Sequence, residues 1–188
     1  MQMKYIFTLN PTIPANLSKP FLIDMDEVQA HKKIYTAEIA WQKICKWCAF
    51  QERSQQDVRD KLYDYGLHSK DVELLISRLI LENFLNEERF AITFAGGKFR
   101  QLGWGKVKIK LALKQKKVSD YCIRKALSVI NATDYTKQLE KIISKRNREE
   151  KEKHPLKRKH KIAQYAISRG FESDIVWDLL KEWDVLEH

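Results

Sequence analysis

The feature that most constrains this chain is a spaced apolar pattern that returns three times. Val58, Leu62, Gly66, Leu67, Val72, Ile76 and Leu79 recur 51 residues later as Ile109, Leu113, Lys117, Val118, Ile123, Leu127 and Ile130. A further shift of 53 gives Ile162, Ala166, Gly170, Phe171, Val176, Leu180 and Trp183. Six of the seven columns are apolar in every copy, and the seventh reads Gly, Lys, Gly. A fixed period of about 50 residues is the mark of stacked supersecondary units, each too small to bury its apolar face alone.

The spacing within each copy predicts a helix, a tight turn and a second helix. Gly66 and Gly170 fall where a helix ends in a left-handed residue, a position in which glycine has no Cβ to clash. Ser69, Ser119 or Asp120, and Ser173 or Asp174 are placed to cap the following helix. A leading helix completes each unit: Ala37 to Gln51, Glu87 to Arg100, and about Tyr135 to Glu152. Ala40, Ile44 and Cys48 align with Ala91, Ala95 and Phe99, small enough in most positions for close helix contact, and the third helix keeps Leu139, Ile142 and Ile143.

The expected fold is therefore all-α: three tandem three-helix repeats at 37–84, 85–132 and 133–185, forming an elongated curved array. Residues 1–36 stand apart, because Pro11, Pro14 and Pro20 forbid a continuous helix there. They are expected to form an irregular N-terminal arm, extended or as a short hairpin, and Met25 is an alternative start. Leu186-Glu187-His188 resembles a tag remnant and is set aside.

The second repeat carries the charge. Between Lys98 and Lys125 lie ten Lys or Arg and one acid, Asp120, a local net of +9 in a chain whose total is +10. Residues 37–83 hold seven bases and eight acids, whereas residues 141–161 hold ten bases and three acids. Concentrated positive charge suits a polyanionic partner. The segment Lys106 to Lys114, KVKIKLALK, alternates at period two and by itself would suggest a strand. The repeat register decides for a helix, since Ile109 and Leu113 fill the i, i+4 places of Val58 and Leu62. Lys106, Lys110, Lys114 and Lys117 then share one cationic face, with Val107 and Leu111 beside it. Trp104 lies between Gly103 and Gly105, which either bring backbone close to a partner or end the leading helix while the indole fills a junction between repeats.

Other classes are disfavoured. Three cysteines and no secretory signal indicate a reducing, cytoplasmic location. Cys45 and Cys48 form a C-x-x-C within a helical pattern rather than after a strand, and no second pair completes a zinc site. They read as helix packing, and no metal or cofactor is expected. No phosphate loop, H-E-x-x-H or Ser/His/acid arrangement is present, and Asp57, Asp60 and Asp64 read as a solvated face beside Arg59 and Lys61. The chain is expected not to be an enzyme. No stretch approaches the roughly 20 apolar residues of a spanning helix, although KVKIKLALK could lie on an anionic membrane.

Three blocks resemble the RecX family of regulatory proteins, which modulate the RecA recombinase. They are Arg53-Ser54 with Val58, Leu62 and Gly66-Leu67; Asn83 through Ala91, NFLNEERFA; and Arg100 with Leu102-Gly103-Trp104-Gly105, Val107, Ile109 and Leu113. The resemblance covers about residues 37–184. The chain departs from the family pattern at Lys117, in the displaced acids Glu87 and Glu88, in the charge block 145–161, and in the N-terminal arm. The resemblance implies a non-enzymatic, monomeric protein that lies along RecA filaments on DNA and limits their activity. Lys98, Arg100, Trp104, Lys106, Lys110, Lys114 and Lys117 are the expected primary contacts, with Arg148, Lys157, Arg158 and Lys159 secondary. An autonomous DNA- or RNA-binding helical protein is the alternative.

Overall fold

The computed structural model describes residues 34–186, with side chains through Glu182. The expected N-terminal arm falls almost wholly outside the described residues. Nine α-helices and no strands are present among the described residues: α1 (Ala37–Phe50), α2 (Gln55–Asp64), α3 (Ser69–Leu81), α4 (Glu87–Leu102), α5 (Lys106–Gln115), α6 (Asp120–Ser128), α7 (Ala132–Glu149), α8 (Pro155–Ser168) and α9 (Ser173–Leu186). The principal helix-on-helix packing occurs within successive triplets, α1–α3, α4–α6 and α7–α9.

The repeated columns are the core. Val58, Leu62, Val72, Leu79, Ile109, Leu113, Ala166 and Val176 are fully buried. Leu127 is the one described apolar column member that remains half-buried. The turn between the second and third helices of each triplet has the same hydrogen bonds three times. Leu67, Val118 and Phe171 donate back to the carbonyls of Leu62, Leu113 and Ala166 at 3.2–3.3 Å. Gly66, Lys117 and Gly170 donate to Tyr63, Lys114 and Ile167 at 2.8–2.9 Å. This is the Schellman closure, in which a left-handed residue lets the chain satisfy its last helical carbonyls and fold an apolar side chain back over them. The three residues have φ of +83°, +56° and +93°. Lys117 accepts a backbone that costs a non-glycine residue about 1–2 kcal/mol.

Caps set the remaining boundaries. Ser54 and Asp57 form a reciprocal capping box on α2, while Thr36, Asn86, Ser119 and Asn131 cap α1, α4, α6 and α7. Ser69 and Ser173 are instead the first helical residues of α3 and α9. His68 precedes α3 without a side-chain cap. The third leading helix ends at Glu149, three residues before the expected Glu152, and Pro155 opens α8 with its missing N–H at a position that needs no helical donor.

Burial separates two cores. Helices α1–α3 enclose one cluster around Ile44, Leu62 and Leu79. A single continuous cluster runs through α4–α9, from Phe90 and Ala95 to Phe171 and Leu180. Between α5 and the α8–α9 turn the backbones touch: Gly105 N–H donates to Arg169 O at 2.9 Å and Val107 N–H to Gly170 O at 3.0 Å. A Cβ on Gly105 would overlap the Gly170 carbonyl, and one on Gly170 would overlap Lys108.

Candidate nucleoprotein-binding surface

The alternating segment Lys106 to Lys114 is helical, as the repeat register requires. Its Ile109 and Leu113 are fully buried, so the opposite side must face solvent. Lys110, Lys114 and Lys117 are exposed there. Val107 and Leu111, one turn apart, are 53% and 59% exposed. Lys114 lies 3.7 Å from Asp120, a loose pair between two exposed groups. Lys110 and Lys117 have no ion pair with any described residue. Two exposed aliphatics among lysines make a mixed cationic and apolar strip; they are too few for the continuous apolar face that an interfacial helix needs. No described helix is long and apolar enough to cross a membrane.

Lys106 differs from the others on that row. Its backbone N–H donates to the Tyr135 hydroxyl at 3.0 Å and its ammonium lies 4.8 Å from the centre of the Tyr135 ring. Tyr135 in turn donates to Glu172 at 2.5 Å. Burial first, and then the Glu172 hydrogen bond, push the Tyr135 phenol well above its usual range, so the donor stays protonated. Its ring lies between Phe99, at 5.9 Å, and Phe171, at 5.0 Å. Since Gly105 caps α5 without a side chain, its first free N–H groups are satisfied by the third triplet. The start of the cationic helix is thereby fixed in place.

Gly103 ends α4 with φ +60°. The close approach made by Gly105 is to Gly170 of the same chain. Trp104 is half-buried against the α4–α9 core, with the ammonium groups of Lys98 and Lys108 at 5.1 and 4.9 Å from its ring centre. Lys98 also lies over Phe94. The electron-rich faces of these rings attract the ammonium groups that lie over them.

Arg100 sits in another place, an open depression of about 320 Å³ that it lines with Phe99, Asp134, Lys137, Gln138 and Lys141. Lys137 is absent from the set expected on sequence grounds, and Lys141 belongs to it only as the first residue of the basic block 141–161. The signal was their i, i+4 spacing on α7, whose relation to Arg100 depends on tertiary packing.

The secondary residues form a third group at the α7–α8 corner. Arg158 donates to the Asn147 side chain at 2.9 Å and to its carbonyl at 2.6 Å, so its guanidinium is largely used to hold the corner. Glu150 accepts from Arg146 at 2.6 Å, and Lys161 lies 3.6 Å from Glu150 and 3.0 Å from Glu152. Part of the expected basic block is thus neutralised internally. Arg148 and Lys157 are exposed, and Lys159 is half-buried. Lys116, within the second repeat's basic run, holds both Asp57 carboxylate oxygens at 2.8 and 3.0 Å.

Among the described residues no group of three His, Cys, Asp or Glu could hold a metal ion. Burial, reinforced by the neighbouring Cys45, pushes the Cys48 thiol up to about 11, which leaves it a core residue with little thiolate.

Comparison with known proteins agrees with this architecture. The family model for the RecX second three-helix domain matches residues 86–127, and that for the RecX third three-helix domain matches residues 133–180. A regulatory protein RecX from Streptococcus uberis is 29% identical over 161 residues, covering 85% of this chain and 61% of that protein. Regulatory protein RecX from Haemophilus influenzae is 26% identical over 152 residues, covering 79% of this chain and 99% of that protein. The chain therefore spans about three fifths of the streptococcal relative and nearly all of the Haemophilus one. The crystal structure of RecX from Lactobacillus salivarius superposes with a TM-score of 0.72 at 21% identity, over 79% of this chain and 97% of that one. A second RecX crystal structure gives 0.71 at 20% identity, over 78% and 71%. The relatives are named as regulators, and two successive domain models match in order, so residues 86–127 and 133–180 are similar to the second and third three-helix domains of RecX.

Proposed function

We propose that this chain regulates a RecA-type recombinase, seating the outer face of α5 on the recombinase–DNA filament and limiting its ATPase and strand-exchange activity. The triplets bounded at 37–84, 85–132 and 133–185 act as three successive units in that role. The observation that carries the reading is the composition of α5's free face: exposed Lys110, Lys114 and Lys117 beside exposed Val107 and Leu111. Lysines steer the face to a polyanionic polymer, and the aliphatics favour a protein component in the surface it meets, because phosphates alone do not bury Val or Leu. The family resemblance supplies the recombinase. DNA contributes through phosphate contacts, and the protein acts as a monomer in the cytoplasm.

Reversing Lys110, Lys114 and Lys117 to Glu is expected to raise the concentration needed for half-inhibition of RecA ATPase at least about tenfold, the equivalent of some 1.4 kcal/mol, with the far-ultraviolet helical signal unchanged. Lys106 is left in place because its stem is part of the α5–Tyr135 junction. Unaltered inhibition by the folded variant would remove α5 as the contact. Equal affinity for bare and RecA-coated single strands would favour the alternative, an autonomous nucleic-acid-binding protein.

A further inference from the structure

The depression between the end of α4 and the first three turns of α7 carries charge that nothing in the fold uses. Its lining has three cations, Arg100, Lys137 and Lys141, against one carboxylate, Asp134, together with the Gln138 amide and the edge of Phe99. Lys137 and Lys141 are one turn apart on α7, so they stand on the same face and repel each other. None of the three cations has an ion pair or a hydrogen bond with a described residue. Four other cations contrast with this: Lys116 is held by Asp57, Lys125 by Glu88, Arg89 by Glu52 and Lys161 by Glu152.

A glycine leaves room for Arg100. A Cβ added at Gly96, one turn earlier on α4, would fall 2.9 and 3.0 Å from the two terminal nitrogens of the Arg100 guanidinium, which therefore lies back against the helix in the space a side chain would fill. A Cβ at the neighbouring Gly97 would meet nothing within 4 Å, so the helix surface there is open. A glycine in the middle of a helix costs roughly 0.5–1 kcal/mol relative to alanine. Here it leaves space for a planar fork of donors in a depression that Lys137 and Lys141 also line.

We propose that this depression is a phosphate seat. Arg100 donates in bidentate fashion to two oxygens of one phosphate, and Lys137 and Lys141 supply point charges to the same or the next phosphate. Asp134, in the first turn of α7, repels an anion at that end and sets the phosphate toward Arg100 and Lys141, about 10 Å further along α7 at 1.5 Å rise per residue. Phe99 is 8% exposed and stacked on Tyr135, which leaves no free ring for a base to stack on. Binding is accordingly to the backbone of a nucleic acid strand and independent of its sequence, or to a free polyphosphate, which presents the same oxygens. The site rests on the filament reading only for the identity of the polymer that occupies it in the cell.

The test uses the full chain and no recombinase, so its failure and that of the filament reading are separate. Fluorescence anisotropy with a labelled 20-nucleotide oligo-dT, titrated from about 50 to 200 mM salt, should show binding whose logarithm falls linearly with the logarithm of salt. Lys137→Gln with Lys141→Gln should weaken it about tenfold at 100 mM salt and reduce the slope by about 1.4, two contacts at roughly 0.7 each for single strands. Arg100→Lys should weaken binding several-fold with the slope unchanged, because charge is kept and the fork is lost. Lys46→Gln with Lys70→Gln, which removes two exposed charges from the first triplet, should change affinity less than about twofold. Absence of oligo-dT binding, with pyrophosphate raising the melting temperature of the wild type but not of the Lys137/Lys141 variant, would support the seat with a free polyphosphate as its source. Neither ligand binding, or equal losses in the two double variants, would overturn it. Both lysines are exposed, so these variants retain the fold.

Discussion

The helices on the two sides of α4–α6 meet it by different physics. Toward α7–α9 the contact is made of groups that have no alternative partner: the Gly105 and Val107 amides on the carbonyls of Arg169 and Gly170, the Tyr135 hydroxyl between Lys106 and Glu172, and three rings in a row over a shared core. Toward α1–α3 it is made of charge pairs, Lys116 to Asp57 at 2.8 Å and Arg89 to Glu52 at 2.5 Å, over two cores that stay separate. The side chains of these four residues are 25–40% exposed, so water and salt reach them. Buried, directional bonds make α4–α9 one mechanical body, whereas pairs of this kind contribute about 0.2–1 kcal/mol each and weaken in salt. The α5 face is thereby fixed relative to α7–α9 more tightly than to α1–α3.

The largest break should come from the glycine contact. Gly105→Ala puts a Cβ into the Gly170 backbone, which no rotamer change can relieve. It is expected to cost about 3 kcal/mol and to lower the melting temperature by roughly 6–12 °C for a chain of this size. Calorimetry would check it, and a change under 1 °C would show that the two backbones separate easily.

Tyr135→Phe should come next. It keeps the ring ladder but leaves the Lys106 amide without its acceptor and removes the hydroxyl that Glu172 accepts, at about 1–3 kcal/mol by urea denaturation. A loss as large as that of Tyr135→Ala would mean that the hydroxyl, rather than the ring, carries the junction.

The smallest effect sharpens the other side. Burial raises the Asp57 pKa, but hydrogen bonds from Lys116 and Ser54 outweigh it and hold the carboxyl below its usual range. A depressed folded pKa means that the stabilisation is present above the unfolded value and is lost as pH falls through the folded one. Asp57→Asn should therefore cost about 1 kcal/mol at pH 7, less in high salt, and converge with wild type in acid once Asp57 is protonated. Urea denaturation at both pH values would show it, and a gap persisting in acid would assign the effect to packing instead.

Much of each triplet was legible because its causes are local. The i, i+4 pairs Val58–Leu62 and Ile109–Leu113 outweighed the period-two alternation of KVKIKLALK, since a core position is defined by what it must bury. Gly66 and Gly170 marked left-handed turns in the first and third copies, whereas Lys117 takes the same backbone without a glycine to signal it. The caps were less legible. Ser69 and Ser173 fall inside their helices, and Glu172, ahead of α9, uses its carboxylate on Tyr135. The candidate surface was half readable: Lys110, Lys114 and Lys117 followed from helical phase, while Arg158 and Lys116 proved to have partners 11 and 59 residues away.

The sequence by itself determined that this chain is helical, that it repeats every 50 residues or so, which residues its cores contain and where its positive charge is concentrated, because periodicity and composition act over a few turns of helix. Tertiary structure alone decided that the second and third triplets share one core while the first keeps its own, and that Arg100, Lys137 and Lys141 line one depression. Those outcomes depend on which backbones can touch and which charges find a partner, and such pairings form between residues that have no fixed spacing along the chain.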